Sequence, residues 1–216
     1  MDVSLENTEL THYVAKQLNT LFPDRNHIQT EDIDKYVTNT LKKLEYCFAK
    51  INNKYYHDNN ETRFNHLNSD HYAMFLYMLS RIIFKEENDV NVCTKLFLLN
   101  KCLHSIDIYY EVKLPDIFLF AHPMGTVLGR AEYSDYFIVY QKCNIGSNKD
   151  RKPTLGKYVT LHPGSVILGN CNVGENCKIA AGSLLLDMDL EKDSVYIGNP
   201  RDYIIKKSSE IHPVWT

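Results

Sequence analysis

Through about residue 105, apolar side chains return at every third and fourth position, the spacing of amphipathic helices. Leu10, Val14, Leu18 and Leu21 form one stripe. Ile33, Val37, Leu41, Leu44, Phe48 and Ile51 form a longer one behind the helix-start signal Thr30-Glu31-Asp32. A polar stretch without periodicity follows, from Asn52 to Asn65. Asn68-Ser69-Asp70 then offers a cap for a third helix carrying Phe75, Leu76, Leu79 and Ile82, and Asp89 caps a fourth with Val92, Leu96, Leu99, Leu103 and Ile106. These predict four helices packed on each other or on a neighbouring subunit.

The second half has another arithmetic. Leu155, Leu161, Ile167, Val173, Ile179 and Leu185 are spaced by six; the phase fails at Glu191 and returns at Ile197. A helix would scatter such positions around its circumference. A chain of short strands that turns every six residues would bring them all to one axis, as a hexapeptide solenoid does. Two further columns agree: small residues Ser165, Cys171, Cys177 and Ser183 stand two places before an aliphatic one, and Gly164, Asn170, Asn176 and Gly182 three places after. Gly and Asn tolerate positive φ best, so the latter are turn positions. Val127, Tyr133, Val139 and Ile145 continue the spacing upstream, but Ile145 and Leu155 are ten apart. The excess lies in 146–153, a basic, glycine-bearing loop extruded from the solenoid. The fold class expected is α+β: a helical domain over 1–105, a parallel β-helix over 106–205 and a tail over 206–216.

Composition narrows the function. The 216 residues carry 24 Lys+Arg against 27 Asp+Glu, a net charge of -3, with no basic cluster of the kind phosphate backbones require. No nucleic acid partner is expected, and no apolar run is long enough for a membrane span. The N-terminus lacks a basic and apolar leader, and a cytoplasmic location is expected. Six cysteines, none in a C-x-x-C pair, then read as free thiols, and no H-x-x-H cluster supports a metal site.

Several segments resemble one family. His122-Pro123-Met124-Gly125-Thr126-Val127-Leu128-Gly129 is similar to H-A-T-G-x-V-x-G, and the segment from Tyr140 to Ser147 to L-Q-x-V-T-L-G-G. Asp150-Arg151-Lys152-Pro153 is similar to D-R-H-P, and Ile197-Gly198-Asn199-Pro200 to a terminal G-x-P element. These are motifs of the hexapeptide-repeat acyltransferases with a left-handed parallel β-helix, and within them of the serine O-acetyltransferases. The resemblance covers Asp107 to Ile205.

The resemblance implies acetyl transfer from acetyl-CoA to L-serine, giving the O-acetylserine of cysteine biosynthesis. His122 matches the base that takes the hydroxyl proton, and Asp107, fifteen residues earlier, the carboxylate that orients it. Imidazole titrates near neutrality and so suits that role. The turn at Gly146-Ser147 is the nearest source of an oxyanion-binding N–H. The resemblance places acetyl-CoA in a groove between solenoids of a homotrimer, or of a pair of trimers, against Gly146, Ser147, Pro163, Gly164, Ala181 and Gly182, with Arg201 or Lys206 for the 3′-phosphate. Arg151 and Lys152 would grip the acceptor carboxylate, and Asp70 would take its amine. The sequence departs from the pattern at Ala121, where the family carries an aspartate before the base, and at Lys152, where it carries a second histidine. The ending Pro213-Val214-Trp215-Thr216 lacks the isoleucine that docks the next enzyme of the pathway, so that complex is not expected. Two other readings stay open: O-acetylation of a surface-polysaccharide sugar, and a non-catalytic β-helix used for assembly.

Overall fold

The computed structural model describes residues 1–58 and 61–215 and divides into two compact units, Met1–His104 and Ser105–Thr216. The first contains α1 (Asn7–Leu21), α2 (Asp34–Phe48), α3 (Ser69–Glu86) and α4 (Val90–His104). Helix α3 packs against both α2 and α4. Its residues from His71 through Ser80 are all buried, the mark of a helix with no solvent face along that stretch. The stripe of α2 is buried throughout, from Ile33 to Ile51, whereas Leu21 and Leu103 at the ends of theirs are about half exposed, at 48% and 45%.

The helix starts follow from local hydrogen bonds. Asn68 caps α3 by accepting the Asp70 and His71 N–H groups, and the Asp89 carboxylate accepts those of Asn91 and Val92 at 3.1 Å. Thr30–Asp32 is a turn of 3-10 helix ahead of α2, closed by the Gln29 N–H on the Asp32 carboxylate at 2.7 Å. The polar stretch after α2 is not structureless. It holds β2 (His57–Asp58) and β3 (Glu61–Phe64), and β3 also pairs in parallel with the N-terminal β1 (Asp2–Val3). Phe64 is fully buried from β3, so a two-residue alternation too short to read in sequence still anchors the strand. Asn59 and Asn60 lie outside the described residues, as does Thr216.

The second unit is a parallel β-solenoid of the left-handed β-helix type. Its first sheet contains β5 (Phe118–Phe120), β7 (Phe137–Val139), β10 (Thr160–Leu161), β13 (Lys178–Ile179) and β15 (Ser194–Asn199), with β16 (Asp202–Lys207) antiparallel at the edge. The second contains β4 (Asp107–Ile108), β6 (Val127–Leu128), β8 (Asn144–Gly146), β11 (Val166–Leu168) and β14 (Leu184–Leu186), and the third β9 (Thr154–Leu155) with β12 (Asn172–Val173). The register pairs Val139 with Leu161, Leu161 with Ile179, and Ile145 with Ile167. The six aliphatic residues of the repeat are each at most 3% exposed, and Ser165, Cys171, Cys177 and Ser183 fill the gaps beside them at no more than 2%. All six cysteines are free thiols.

The periodicity misplaces three residues. Val127 is 40% exposed, and Leu128 takes the axial position opposite Ile145. Leu190 supplies the aliphatic residue missing at Glu191, one place early, so the last coil is a residue short and Tyr196, not Ile197, pairs with Ile179 and is fully buried. At the corner after the second sheet, positive φ falls on Gly169 (+81°), not Asn170; an added Cβ there would overlap the Asp187 carboxylate.

The 146–153 segment is a tight hairpin. Asn148 and Arg151 exchange N–H···O bonds of 3.0 Å around Lys149 and Asp150, whose φ values of 49° and 61° define a two-residue turn of the I′ kind.

Candidate active site

The corner between the first and second sheets carries a ladder of turn hydrogen bonds, one rung per coil. Gly125 N–H donates to Ser105 O, Lys142 N–H to Met124 O and Gly164 N–H to Gln141 O, each at 2.9 Å, and Gly182 N–H to Pro163 O at 3.0 Å. Each donor has positive φ. His122 stands in the turn that holds the first rung. Its own φ is +52°, its carbonyl accepts the Met124 N–H at 2.8 Å, and its side chain is exposed. Histidine is among the few non-glycine residues that enter this region with any frequency, so the turn itself sets where the imidazole emerges.

Asp107 reaches the same corner from the strand beside it. It lies half-buried in β4, paired with Val127 of β6, and its N–H donates to Thr126 O at 2.9 Å. The segment 105–107 is thus hydrogen-bonded along 125–127, immediately after the His122 turn. Pro163, Gly164, Ala181 and Gly182 stand on this ladder. Ala181 and Gly182 are exposed, and nothing lies within 4 Å of a Cβ built at Gly182. A bare edge with small side chains suits an extended chain lying along it. Arg201, exposed in the β15–β16 turn, and Lys206, exposed on β16 opposite Val195, stand at the end of the first sheet.

Gly146, Ser147, Arg151 and Lys152 occupy a different corner, after the second sheet. Arg151 faces the Asp187 carboxylate at 3.5 Å, and Lys152 pairs with Glu132. Asp187 also accepts the Asn170 N–H at 2.9 Å and the Asn148 amide at 2.8 Å. These bonds, the Asn170 one first, hold its carboxyl below the ordinary range. Both cations of the expected carboxylate clamp therefore already have anionic partners on the solenoid surface, in pairs that are exposed and readily exchanged. Asp70 belongs to the helical unit, in the first turn of α3, with its N–H on Asn68 Oδ1 at 3.0 Å.

One cluster escapes sequence reasoning. After β16 the tail turns back across the outer face of the first sheet. Lys178 Nζ donates to Glu210 O at 2.6 Å and lies 3.3 Å from Ser208 Oγ, His212 Nε2 lies 3.4 Å from the Tyr140 hydroxyl, and the Trp215 ring meets Tyr136 edge-on. Ile138 and Thr160, which alternate outward from the coil axis, are fully buried on that face. Tyr140 also stacks on His162, with centroids 5.7 Å apart and planes 13° apart. The available signal was register: Ala121, Tyr140 and His162 each follow a strand of one aligned set.

Comparison with known proteins places this architecture. Residues 152–187 match the family model described as bacterial transferase hexapeptide (six repeats). A serine acetyltransferase of Synechococcus elongatus is 31% identical over 121 residues, which are 54% of this chain and 49% of that protein. One of Helicobacter pylori is 28% identical over 140 residues, 62% of this chain and 81% of that protein. The chain spans about half the length of the first of these relatives. Among solved structures, serine acetyltransferase from Brucella abortus in complex with coenzyme A superposes with a TM-score of 0.71 at 18% identity, over 97% of this chain and 85% of that one. The soybean apoenzyme gives 0.70 at 18% identity, over 94% and 84%. The fold is the one these enzymes share.

Proposed function

We propose that this chain is an acetyl-CoA-dependent O-acetyltransferase whose acceptor is L-serine, with His122 as general base and Asp107 as the carboxylate that orients it. The observation that carries the reading is the ladder itself: His122 emerges beside the Asp107 strand on the same edge as the half-buried glycine turn at Gly164 and the exposed small turn at Ala181 and Gly182. The likeness to serine acetyltransferases over the solenoid supports the choice of donor and acceptor.

In this reading neutral His122 takes the serine hydroxyl proton as the oxygen attacks the thioester carbonyl. A C–O bond forms, the C–S bond breaks, and the imidazolium returns its proton to the departing thiolate. Gly146, Ser147, Arg151 and Lys152 stand on another edge of the same solenoid. A homotrimer would set that edge against the His122 edge of a neighbour, which is the argument for a trimer; serine as the acceptor is the argument for a cytoplasmic role in cysteine biosynthesis. The engagement of Arg151 by Asp187 and of Lys152 by Glu132 favours a second reading, acetylation of a neutral sugar hydroxyl.

The test is CoA release by purified protein with L-serine or with hexoses as acceptor. Serine-dependent release that falls by about 10²–10⁴ in His122→Ala supports the proposal. Release with a hexose and none with serine moves the acceptor to the second reading. Absence of both leaves a non-catalytic β-helix.

A further inference from the structure

The tail from Ser208 to Trp215 lies across the first sheet and is fastened along its length. Next to β16, the Ser208 N–H donates to Asp193 O at 2.9 Å, and the Asn176 amide reaches Ser208 O at 3.4 Å. Over β13, Lys178 Nζ donates to Glu210 O at 2.6 Å. At the ends of β7 and β10, His212 meets the hydroxyl of Tyr140, whose ring stacks on His162. Beyond it Val214 and Trp215 are buried, and Trp215 stands edge-on to Tyr136.

The cover is not fully satisfied. The Trp215 indole N–H is buried without a hydrogen-bond partner among the described residues, and so is the hydroxyl of Thr160, which stands between Lys178 and Ile138 in the sheet register. Each is a desolvation cost of closure that release of the tail relieves.

The fastening at His212 depends on its charge. Nδ1 accepts the Val214 N–H at 3.3 Å, so the neutral ring carries its proton on Nε2, 3.4 Å from the Tyr140 hydroxyl. A second proton, on Nδ1, would set a donor against that N–H and break the turn leading to Trp215. The groups facing the new cation would be the Tyr140 hydroxyl after β7, His162 after β10 and the Lys178 ammonium of β13. Burial, then His162 and Lys178, hold His212 below its ordinary pKa of 6.5, and burial, then Lys178, does the same for His162. Depressed in the closed tail and ordinary in a released one, these groups bind protons on release. Closure is therefore full above about pH 6.5 and weakens as the pH falls below it.

We propose that the tail is a pH-operated strap: it lies closed over the first sheet while His212 is neutral, and protonation of His212 beside His162 frees residues 208–215 and uncovers the Ile138 and Thr160 face while the coils stay folded.

Trp215 is the one tryptophan of the chain, so its emission reports the strap. The experiment follows its emission maximum and its quenching by acrylamide from pH 7.5 to 5 in the full chain, with helical circular dichroism on the same samples. The ratio of released to closed tail rises by up to about tenfold per histidine for each pH unit below 6.5. Wild type shifts to the red, with quenching at least about threefold stronger, at constant circular dichroism. His212→Asn offers the Val214 N–H a carboxamide oxygen in an Asx turn and does not titrate, so its emission stays unshifted over the range. His162→Phe keeps a ring under Tyr140 and removes one titrating neighbour, which moves the midpoint to lower pH. His212→Ala lacks the acceptor at every pH and is already strongly quenched at pH 7.5. Wild-type emission unchanged down to pH 5 overturns the strap. So does a shift of the same size and midpoint in His212→Asn, which would assign the change to unfolding elsewhere.

Discussion

Buried His71 makes the helical unit sensitive to acid. Its side chain is fully buried among Phe48, Tyr56 and Phe64, with ring centroids 4.9, 4.4 and 6.3 Å away. Nδ1 accepts the Asn65 N–H at 3.1 Å, and Nε2 has no partner. A proton added there would create a cation inside an aromatic cage, and burial, followed by Arg63, pushes the pKa down to about 4 from 6.5. His104, 8% exposed, is likewise pushed down to about 4 by burial. The sign follows from linkage: below pH 6.5 the unfolded chain takes up protons that the folded chain refuses. Stability is therefore full above about pH 6.5 and falls until the folded groups titrate near 4. At about 1.4 kcal/mol per pH unit per group, each histidine costs about 2 kcal/mol between pH 7.5 and 5, and the pair about 4. Urea midpoints followed by helical circular dichroism over that range, kept above the carboxylates, measure it. His71→Phe loses the Asn65 hydrogen bond, about 1 kcal/mol at every pH, and removes about half of the pH dependence. A variant slope equal to that of wild type would refute the reasoning.

Two further perturbations probe the solenoid. Gly169→Ala forces a Cβ into a corner at φ +81° against the Asp187 carboxylate, and we expect a loss of about 1–3 kcal/mol, read as a lowered melting temperature; an unchanged melt would mean that the corner has other conformations open to it. Asp187→Ala releases Arg151, Asn148 and the Asn170 N–H together. Trypsin should then cut faster after Lys149 or Arg151, as mass spectrometry of the fragments would report, and equal cutting would show that the I′ turn alone closes the hairpin.

The parts of the fold legible in sequence are those where burial repeats. Ile33 through Ile51 and Leu155 through Leu185 obey one period because each residue faces the same helix seam or coil axis. The errors sit where a period is interrupted by local geometry: the first coil, where Leu128 replaces Val127, and the last, where a missing residue hands the axis to Tyr196. Strand β3 stayed hidden because four residues hold too few alternations. For the site, the motifs identified His122 and Asp107 as candidates, and pairing of β4 with β6 puts their segments side by side. What no linear pattern carries is the stacking of Tyr140 on His162, residues brought together only by coil register, or the return of His212 from the tail.

The reversed strand at the end of the solenoid bears on how the molecule stays finite. A parallel coil presents its last strand as a template for the next, and two such ends meeting would continue one axis without limit. Here β16 runs opposite to the other strands of the first sheet and covers β15 along six residue pairs, from Ser194 with Lys207 to Asn199 with Asp202. An incoming coil would meet the wrong strand direction, and it would meet the ammonium groups of Lys206 and Lys207, both exposed, of the kind that blunt sheet edges elsewhere. The hairpin is thus a chain terminator for the stack: it converts a structure whose repeat could propagate as a filament into a particle of fixed length.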